Sequence, residues 1–274
     1  MAAYDRYGVI GDPVAHSLSP AIHLAFAAQC QQRIAYDRYR VTAEQLPDRL
    51  QAFRSENICG LNVTLPLKTM AYQYADVVSS LAEQAGAVSY LHFRDDGVLY
   101  GDNLDGMGMV WDLQRRHQID LKDKRILLAG AGGAVQGVLG TVLVQQPQLV
   151  VLANRTISKA ERLCERFASD VLTCMPYDAL TQSFDVIING TAASLSGEVP
   201  PIPDSILQTE TFCYDMMYGR QADTAFIAWA KQQGCQRTAD GIGMLVEQNA
   251  EIFAVWRGVR PDTQAIYQQV LSAD

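Results

Sequence analysis

Five small residues near the middle of the chain, Gly130-Ala131-Gly132-Gly133-Ala134, have the makeup of a turn that can hold a pyrophosphate. The apolar run Ile126 to Ala129 leads in as a strand, and Val135, Val138, Leu139, Val142 and Leu143 lead out at helical spacing. In that setting glycines let backbone N–H groups approach phosphate oxygens, and the start of the helix adds a favourable dipole. The G-x-G-x-x-G spacing is incomplete. Gly130 and Gly132 fit, but the third position falls on Val135, with Gly133 and Ala134 supplying the small residues earlier. A tight strand–helix turn without a ligand has the same composition; the flanking strand and helix favour the dinucleotide.

The end of the next strand, Leu149 to Ala153, reads Asn154-Arg155-Thr156, with Lys159 one turn further on. Sites for NAD usually carry an Asp or Glu there, on the ribose 2′-hydroxyl. No acid stands at this point to repel a 2′-phosphate, and Arg155 offers a planar fork of donors suited to one. Taken singly, Thr156 or Ser158 is a helix cap and Arg155 a solvated charge. The cluster at this location selects NADP as cofactor.

These segments need a scaffold, and strand and helix signals alternate along the whole chain. Strands are expected at Tyr7 to Ile10, Ala35 to Val41 and Gly60 to Leu65. Helices are expected at Ser19 to Cys30, with Ser19 as N-cap and Pro20 in the first turn, and at Glu44 to Ser55. Helical stretches to about Gly86 lead to a hairpin, Val88 to Phe93 and Val98 to Tyr100, turning at Asp95-Asp96-Gly97. A helix from Gly106 to Arg116 and a polar linker deliver the chain to the glycine turn. Later strands are Val171 to Cys174, Phe184 to Ile188 and Thr211 to Tyr214, with helices at Ser158 to Ala168 and Asp223 to Gln233. The stretch Val199 to Pro203 reads as a surface loop. Two closing helices, about Gly241 to Arg257 and Pro261 to Leu271, return to the first domain.

The fold class is α/β. An N-terminal α/β substrate-binding domain spans 1–105 and 241–274, and a Rossmann-like, doubly wound NADP-binding domain spans 106–240. The 274 residues are 49% apolar, enough for one or two substantial cores. A net charge of -8 argues against nucleic acid or an anionic membrane as partner. The expected partner is a small molecule, and a homodimer is compatible with it. Six cysteines without a C-x-x-C pair, and four histidines without ligand spacing, imply no metal and a reducing compartment. Met1 to Asp5 lack a signal pattern. The run Ile126 to Val144 is long enough to span a membrane but is broken by glycines and a Gln at 136. A cytoplasmic enzyme is the expectation.

Four further segments carry a resemblance. They are Gly11-Asp12-Pro13-Val14-Ala15-His16-Ser17-Leu18-Ser19-Pro20, Asn62-Val63-Thr64-Leu65-Pro66-Leu67-Lys68, Gly101-Asp102-Asn103-Leu104-Asp105-Gly106, and Gly241-Ile242-Gly243-Met244-Leu245-Val246-Glu247-Gln248. In this order, with the glycine turn and Asn154-Arg155-Thr156, the chain resembles the shikimate dehydrogenases over nearly its whole length. The resemblance implies an NADP-dependent oxidoreductase that interconverts 3-dehydroshikimate and shikimate in aromatic amino-acid biosynthesis. It makes Lys68 and Asp105 the catalytic pair. Hydride addition to a ketone leaves a developing alkoxide that needs a proton or a positive charge, and a lysine ammonium can supply either. It also implies that Ser17 and Ser19 hold the substrate carboxylate and that Asn62, Thr64, Ser89, Tyr218 and Gln248 touch the substrate. Met216 and Gly241 lie by the nicotinamide on the same argument. His16 is taken as structural.

The chain departs from the family pattern in places. Ala87-Val88-Ser89-Tyr90 replaces Ala-Val-Asn-Thr, Leu104 replaces a threonine, and Gln136 stands near a usual arginine. The changed Ser89 keeps open a relative acting on quinate or another hydroxy acid. A non-catalytic NADP-sensing module is the other alternative, and intact Lys68 and Asp105 count against it.

Overall fold

Runs of β-branched and aromatic residues separated by polar turns build two six-stranded sheets in the computed structural model, which describes residues 4–219 and 222–272. Two compact units result: one from the chain up to Gly108 and from Leu245 onward, the other Met109–Met244. No helix among the described residues is long and apolar enough to cross a membrane.

The first unit runs β1 (Asp5–Gly11), α1 (Ser19–Gln29), β2 (Ile34–Arg40), α2 (Leu46–Ser55), β3 (Ile58–Val63), α3 (Lys68–Tyr74), β4 (Val77–Val78), α4 (Ser80–Ala85), β5 (Tyr90–Phe93), β6 (Leu99–Asp102) and the start of α5 (Asp105–Arg115). Its strand order is β2-β1-β3-β5-β6-β4. β1 is parallel to β2 and β3, whereas β5 is antiparallel to both β3 and β6. This mixed topology decides where polar residues gather. The C-terminal ends of β1, β3 and β6 and the start of β5 share one edge, with Asn62 opposite Tyr90 and Tyr90 opposite Asp102. The segments around Ser17, Asn62, Ser89 and Asp105 therefore meet, although they are far apart in sequence.

The second unit continues with β7 (Arg125–Ala129), α6 (Gly133–Val144), β8 (Leu149–Ala153), α7 (Ile157–Phe167), β9 (Leu172–Met175), β10 (Val186–Asn189), β11 (Phe212–Asp215), α8 (Ala225–Gln232) and β12 (Arg237–Ala239). Its sheet is wholly parallel, ordered β12-β11-β10-β7-β8-β9. The order reverses at β7, which is where such sheets open a crevice at their carboxyl ends. Both faces are covered, and the strands accordingly read as continuous apolar runs. Ile126, Leu128, Val150, Leu152 and Ile188 pack into one core; Leu127, Ala129, Val151, Ala153 and Ile187 pack into the other. Each such Val, Leu or Ile side chain contributes roughly 1.5–3 kcal/mol by leaving water. α9 (Ile242–Arg257) starts in this unit and finishes in the first, and α10 (Thr263–Ser272) follows it.

Several details differ from the sequence expectation. Ser19 is the first helical residue rather than the cap; Leu18 precedes it without a side-chain cap bond. The strand expected from Val88 begins at Tyr90, and the short strands β4 and β12 carried no periodic signal in two or three residues. The proline-rich stretch is a loop, but Pro200 and Ile202 are buried, Ile202 within the core beside α8. A proline chain can cross a core because it has no N–H to leave unpaired.

Candidate active site

In the first unit, the loop after β3 sets the base of the site. Thr64 donates its N–H to the carbonyl of Ile10 and accepts from Leu67, so α3 starts at Lys68. Lys68 Nζ donates to Asp105 Oδ2 at 2.5 Å. Asp105 is 2% exposed, and Gln248 Nε2, from α9, donates to its other oxygen at 2.6 Å. Both carboxylate oxygens are thus held, one by a charge and one by an amide. The Gln248 carbonyl oxygen and its second amide hydrogen are then the groups of that side chain open to a ligand.

The turn carrying Asp105 is held just as tightly. Asp105 N–H donates to Asn103 Oδ1, Asn103 Nδ2 donates to the Ala87 carbonyl, and Leu104 N–H donates to Ser89 Oγ at 2.8 Å. Ser89 is 1% exposed, and its Oγ, by accepting from Leu104 N–H, supports the Asp105 turn.

The β1–α1 loop brings the two serines. Ser17 is half-buried; its Oγ accepts from Ser19 N–H, and its carbonyl accepts two donors from the Arg38 guanidinium at 2.7 and 3.1 Å. Ser19 is buried and hydrogen-bonds to the hydroxyl of Tyr36, whose pKa burial pushes well up. Thr64 is half-buried beside them, and His16 is exposed on the same loop. Asn62 is buried in a polar cluster with His23, Tyr36 and Asn249. Sequence reasoning missed that cluster. Its signal was a histidine on the buried face of α1, in line with Ser19, Ile22 and Phe26.

In the second unit, Gly130 follows β7 at φ +110°, a conformation that L side chains resist. Its N–H donates to the Ala153 carbonyl at 2.7 Å, fixing the turn against β8. Ala131 and Ala134 are half-buried, while Gly132 and Gly133 are exposed at the start of α6. A Cβ at either glycine would meet no protein atom within 4 Å. Packing within the protein does not require glycine there, whereas close approach of a phosphate does. After β8, Asn154 Nδ2 donates to the Thr156 carbonyl at 2.8 Å. Arg155, Thr156 and Lys159 are exposed beside it, and Thr156 precedes α7 without a side-chain cap bond.

The opposite wall of this crevice is organised by a carboxylate that sequence reasoning did not single out. Asp215, buried at the end of β11, accepts from Met217 N–H and Asn189 Nδ2 on one oxygen and from Ser194 Oγ and Thr224 Oγ1 on the other. Burial raises its pKa and these donors oppose the rise. Its signal was a polar residue closing an otherwise apolar strand, as Asn189 closes β10. The network fixes Met216 and Met217, and Tyr218, half-buried, follows them. Met216 N–H donates to the Asn189 carbonyl, and Gly241 N–H to that of Met217. A Cβ on Gly241 would collide with the Met216 carbonyl oxygen.

Known proteins resemble this chain in sequence and fold. Residues 9–91 match the shikimate dehydrogenase substrate binding domain family, and residues 112–196 match the shikimate / quinate 5-dehydrogenase family. A shikimate dehydrogenase (NADP(+)) of Aeromonas hydrophila is 47% identical over 97% of both chains. Among solved structures, an Ael1 enzyme from Pseudomonas putida superposes with a TM-score of 0.92 at 42% identity, covering 97% of this chain and 98% of that one. Shikimate 5-dehydrogenase from Thermus thermophilus in complex with NADP(H) and shikimate superposes with a TM-score of 0.87 at 32% identity and the same coverage. A half-buried lysine paired with a buried aspartate on one sheet edge, and a glycine turn on a doubly wound sheet, belong to the two-domain, dinucleotide-dependent oxidoreductases. Within that class, the chain belongs to the shikimate dehydrogenase family.

Proposed function

We propose that this protein catalyses the NADPH-dependent reduction of 3-dehydroshikimate to shikimate, and its reversal, within aromatic amino-acid biosynthesis. The observation that carries the reading is the Lys68 ammonium 2.5 Å from Asp105, whose second oxygen is held by Gln248. NADPH, when bound, supplies the hydride. Lys68 then meets the developing alkoxide with positive charge and a proton, and Asp105 holds the ammonium in place. Ser17 and Ser19 take the substrate carboxylate, and the Arg38 guanidinium on the Ser17 carbonyl keeps that loop in register. Asn62, Thr64 and the Gln248 carbonyl oxygen meet substrate oxygens, with Tyr218 a further contact.

For the cofactor, Gly130 to Ala134 hold the pyrophosphate through backbone N–H groups. Asn154, Arg155, Thr156 and Lys159 take the 2′-phosphate, and Met216 and Gly241 border the nicotinamide. Six free thiols suit a reducing compartment, and we assign the enzyme to the cytoplasm.

The test is turnover followed by nicotinamide absorbance, with NADP⁺ or NAD⁺ against shikimate or quinate. Clear preference for NADP⁺ and shikimate is expected. Turnover of quinate with an equal or higher kcat/KM would replace the substrate assignment, and absence of turnover with every pair would overturn the reading.

A further inference from the structure

We infer that His23 is a positioning residue: a neutral imidazole protonated at Nε2, it turns the Asn62 amide so that Asn62 meets its ligand only as an N–H donor. The ligand part of this inference rests on the contact between Asn62 and substrate proposed above.

The polarity of the cluster follows from one peptide carbonyl. The Leu245 carbonyl can only accept, so the atom of Asn249 lying 2.7 Å from it is the amide nitrogen. Asn249 Oδ1 therefore faces inward, 3.1 Å from Asn62 Nδ2 and 2.8 Å from His23 Nε2. An oxygen cannot donate, so both neighbours must. With its nitrogen on Asn249, Asn62 turns its Oδ1 the other way, 3.1 Å from His23 Nε2 and 2.6 Å from the Tyr36 hydroxyl. Nε2 thus faces two acceptors and carries the proton they share. Tyr36 directs its one proton to Asn62, so its oxygen is an acceptor for Ser19 whenever that hydroxyl is not turned to a ligand.

The rest of the ring's surroundings agree. Nδ1 is buried without a partner, which suits a bare lone pair better than an N–H. The ring stacks on Tyr36 at 4.6 Å and on Trp256 at 5.2 Å, with Phe26 and Phe253 beyond, and none of these groups is charged. Burial accordingly holds the imidazole pKa down at about 3, so it stays neutral at physiological pH.

Asn62 is left with one amide hydrogen for a ligand and no acceptor. It selects a hydroxyl or carbonyl oxygen and offers nothing to a protonated amine. This sets the polarity of the subsite independently of which ring the substrate carries.

Two measurements on the full-length protein test the inference. Long-range ¹H–¹⁵N correlation spectra of the imidazoles read the tautomer directly. His23 is expected with Nε2 protonated and Nδ1 bare, unchanged between about pH 5 and 8; an Nδ1–H form, or titration in that range, would overturn the proposal. Kinetics read the consequence. His23→Leu removes the donor and is expected to raise the KM for shikimate about tenfold, with kcat and the KM for NADP⁺ nearly unchanged. His23→Gln, whose amide can donate to the same oxygens, is expected to restore most of the loss. Loss of kcat at constant KM in both variants would mean a general structural role and overturn the inference. If His23→Leu does not fold, the spectra and His23→Gln still decide. Should the wild type not turn over shikimate at all, the proposed substrate fails, while the spectra still report the tautomer.

Discussion

Two aspartates end up buried at polar sheet edges, one in each unit, with different degrees of saturation. Asp215 receives four hydrogen bonds, all from neutral donors of its own unit, and so its lone pairs are satisfied without a ligand. Asp105 receives one ammonium and one amide, and the Lys68 side chain remains 21% exposed. A saturated carboxylate fixes loops; an unsaturated pair with a reachable charge can act on a substrate. The same contrast extends to recognition. The first unit presents side chains held by buried partners, whereas the second presents exposed backbone at Gly132 and Gly133 and exposed cations at Arg155 and Lys159. One edge is pre-organised, and the other is completed by its ligand.

The sharpest way to break the contrast is to remove the reachable charge. Lys68→Ala is expected to lower kcat about 10³-fold, the usual scale for losing a proton-transfer or charge-stabilising group. NADP⁺ affinity should stay near wild type, while the melting temperature falls because the buried Asp105 loses its counter-charge. If kcat falls less than tenfold, Lys68 is not where the alkoxide is stabilised. Next in size is Arg155→Asp, expected to weaken NADP⁺ about 10²-fold in a binding titration by replacing a charge-assisted donor with a repelling carboxylate. NAD⁺, lacking the 2′-phosphate, should be nearly unaffected; equal losses would contradict the assigned contact.

A third substitution asks which glycines serve a ligand and which serve the fold. At Gly132 the backbone lies at φ -90°, open to any residue, and an added Cβ meets empty space. Gly132→Ala should therefore leave the melting temperature unchanged. It should weaken NADP⁺ about thirtyfold, since the methyl occupies the path of the phosphate, on the scale of overpacking a filled site. Gly241→Ala should do the reverse first, lowering the melting temperature because its Cβ collides with the Met216 carbonyl. A stable, cofactor-tight Gly132→Ala would remove the phosphate from that turn.

Legibility in the sequence divides along the same line. The second unit could be read from local signals, because its site is a turn and a strand end: Gly130 to Ala134 and Asn154 to Lys159 are contiguous and lie where strand and helix periodicity place them. The first unit's site could not be read that way. Lys68, Asp105 and Gln248 converge through a mixed sheet and a returning helix, and no local period encodes that; only the resemblance of ordered motifs gave it. The supporting shell was hidden further. His23, Tyr36 and Asn249 each look like ordinary core residues until the coordinates bring their polar atoms together. Ser89 adds a related case: its position in a motif suggested a ligand contact, and only the structure shows that its Oγ also accepts the Leu104 N–H and so supports the Asp105 turn.

The smallest expected effect concerns that hidden shell and sharpens the claim that the first unit is organised before any ligand arrives. His23 is fully buried with its pKa depressed from 6.5 to about 3. In the unfolded chain it takes up a proton below about pH 6.5, and in the folded protein it does not. The unfolded state then binds more protons, so stability falls as pH drops from 6.5 towards 3. Between pH 7 and 5.5 this group should cost roughly 1 kcal/mol. Other shifted groups contribute as well: burial also depresses His92 and His117, and it raises the buried Asp112 and the half-buried Asp240, which act in the opposite sense. Comparison with His23→Gln cancels them, since glutamine does not titrate and the other groups are common to both proteins. Urea midpoints should show wild type losing about that much relative to His23→Gln across the interval. A gap that stays constant would mean that His23 is protonated inside the fold. An imidazole that charges so readily is not sealed from water, and the first unit's edge would be no more pre-organised than the second.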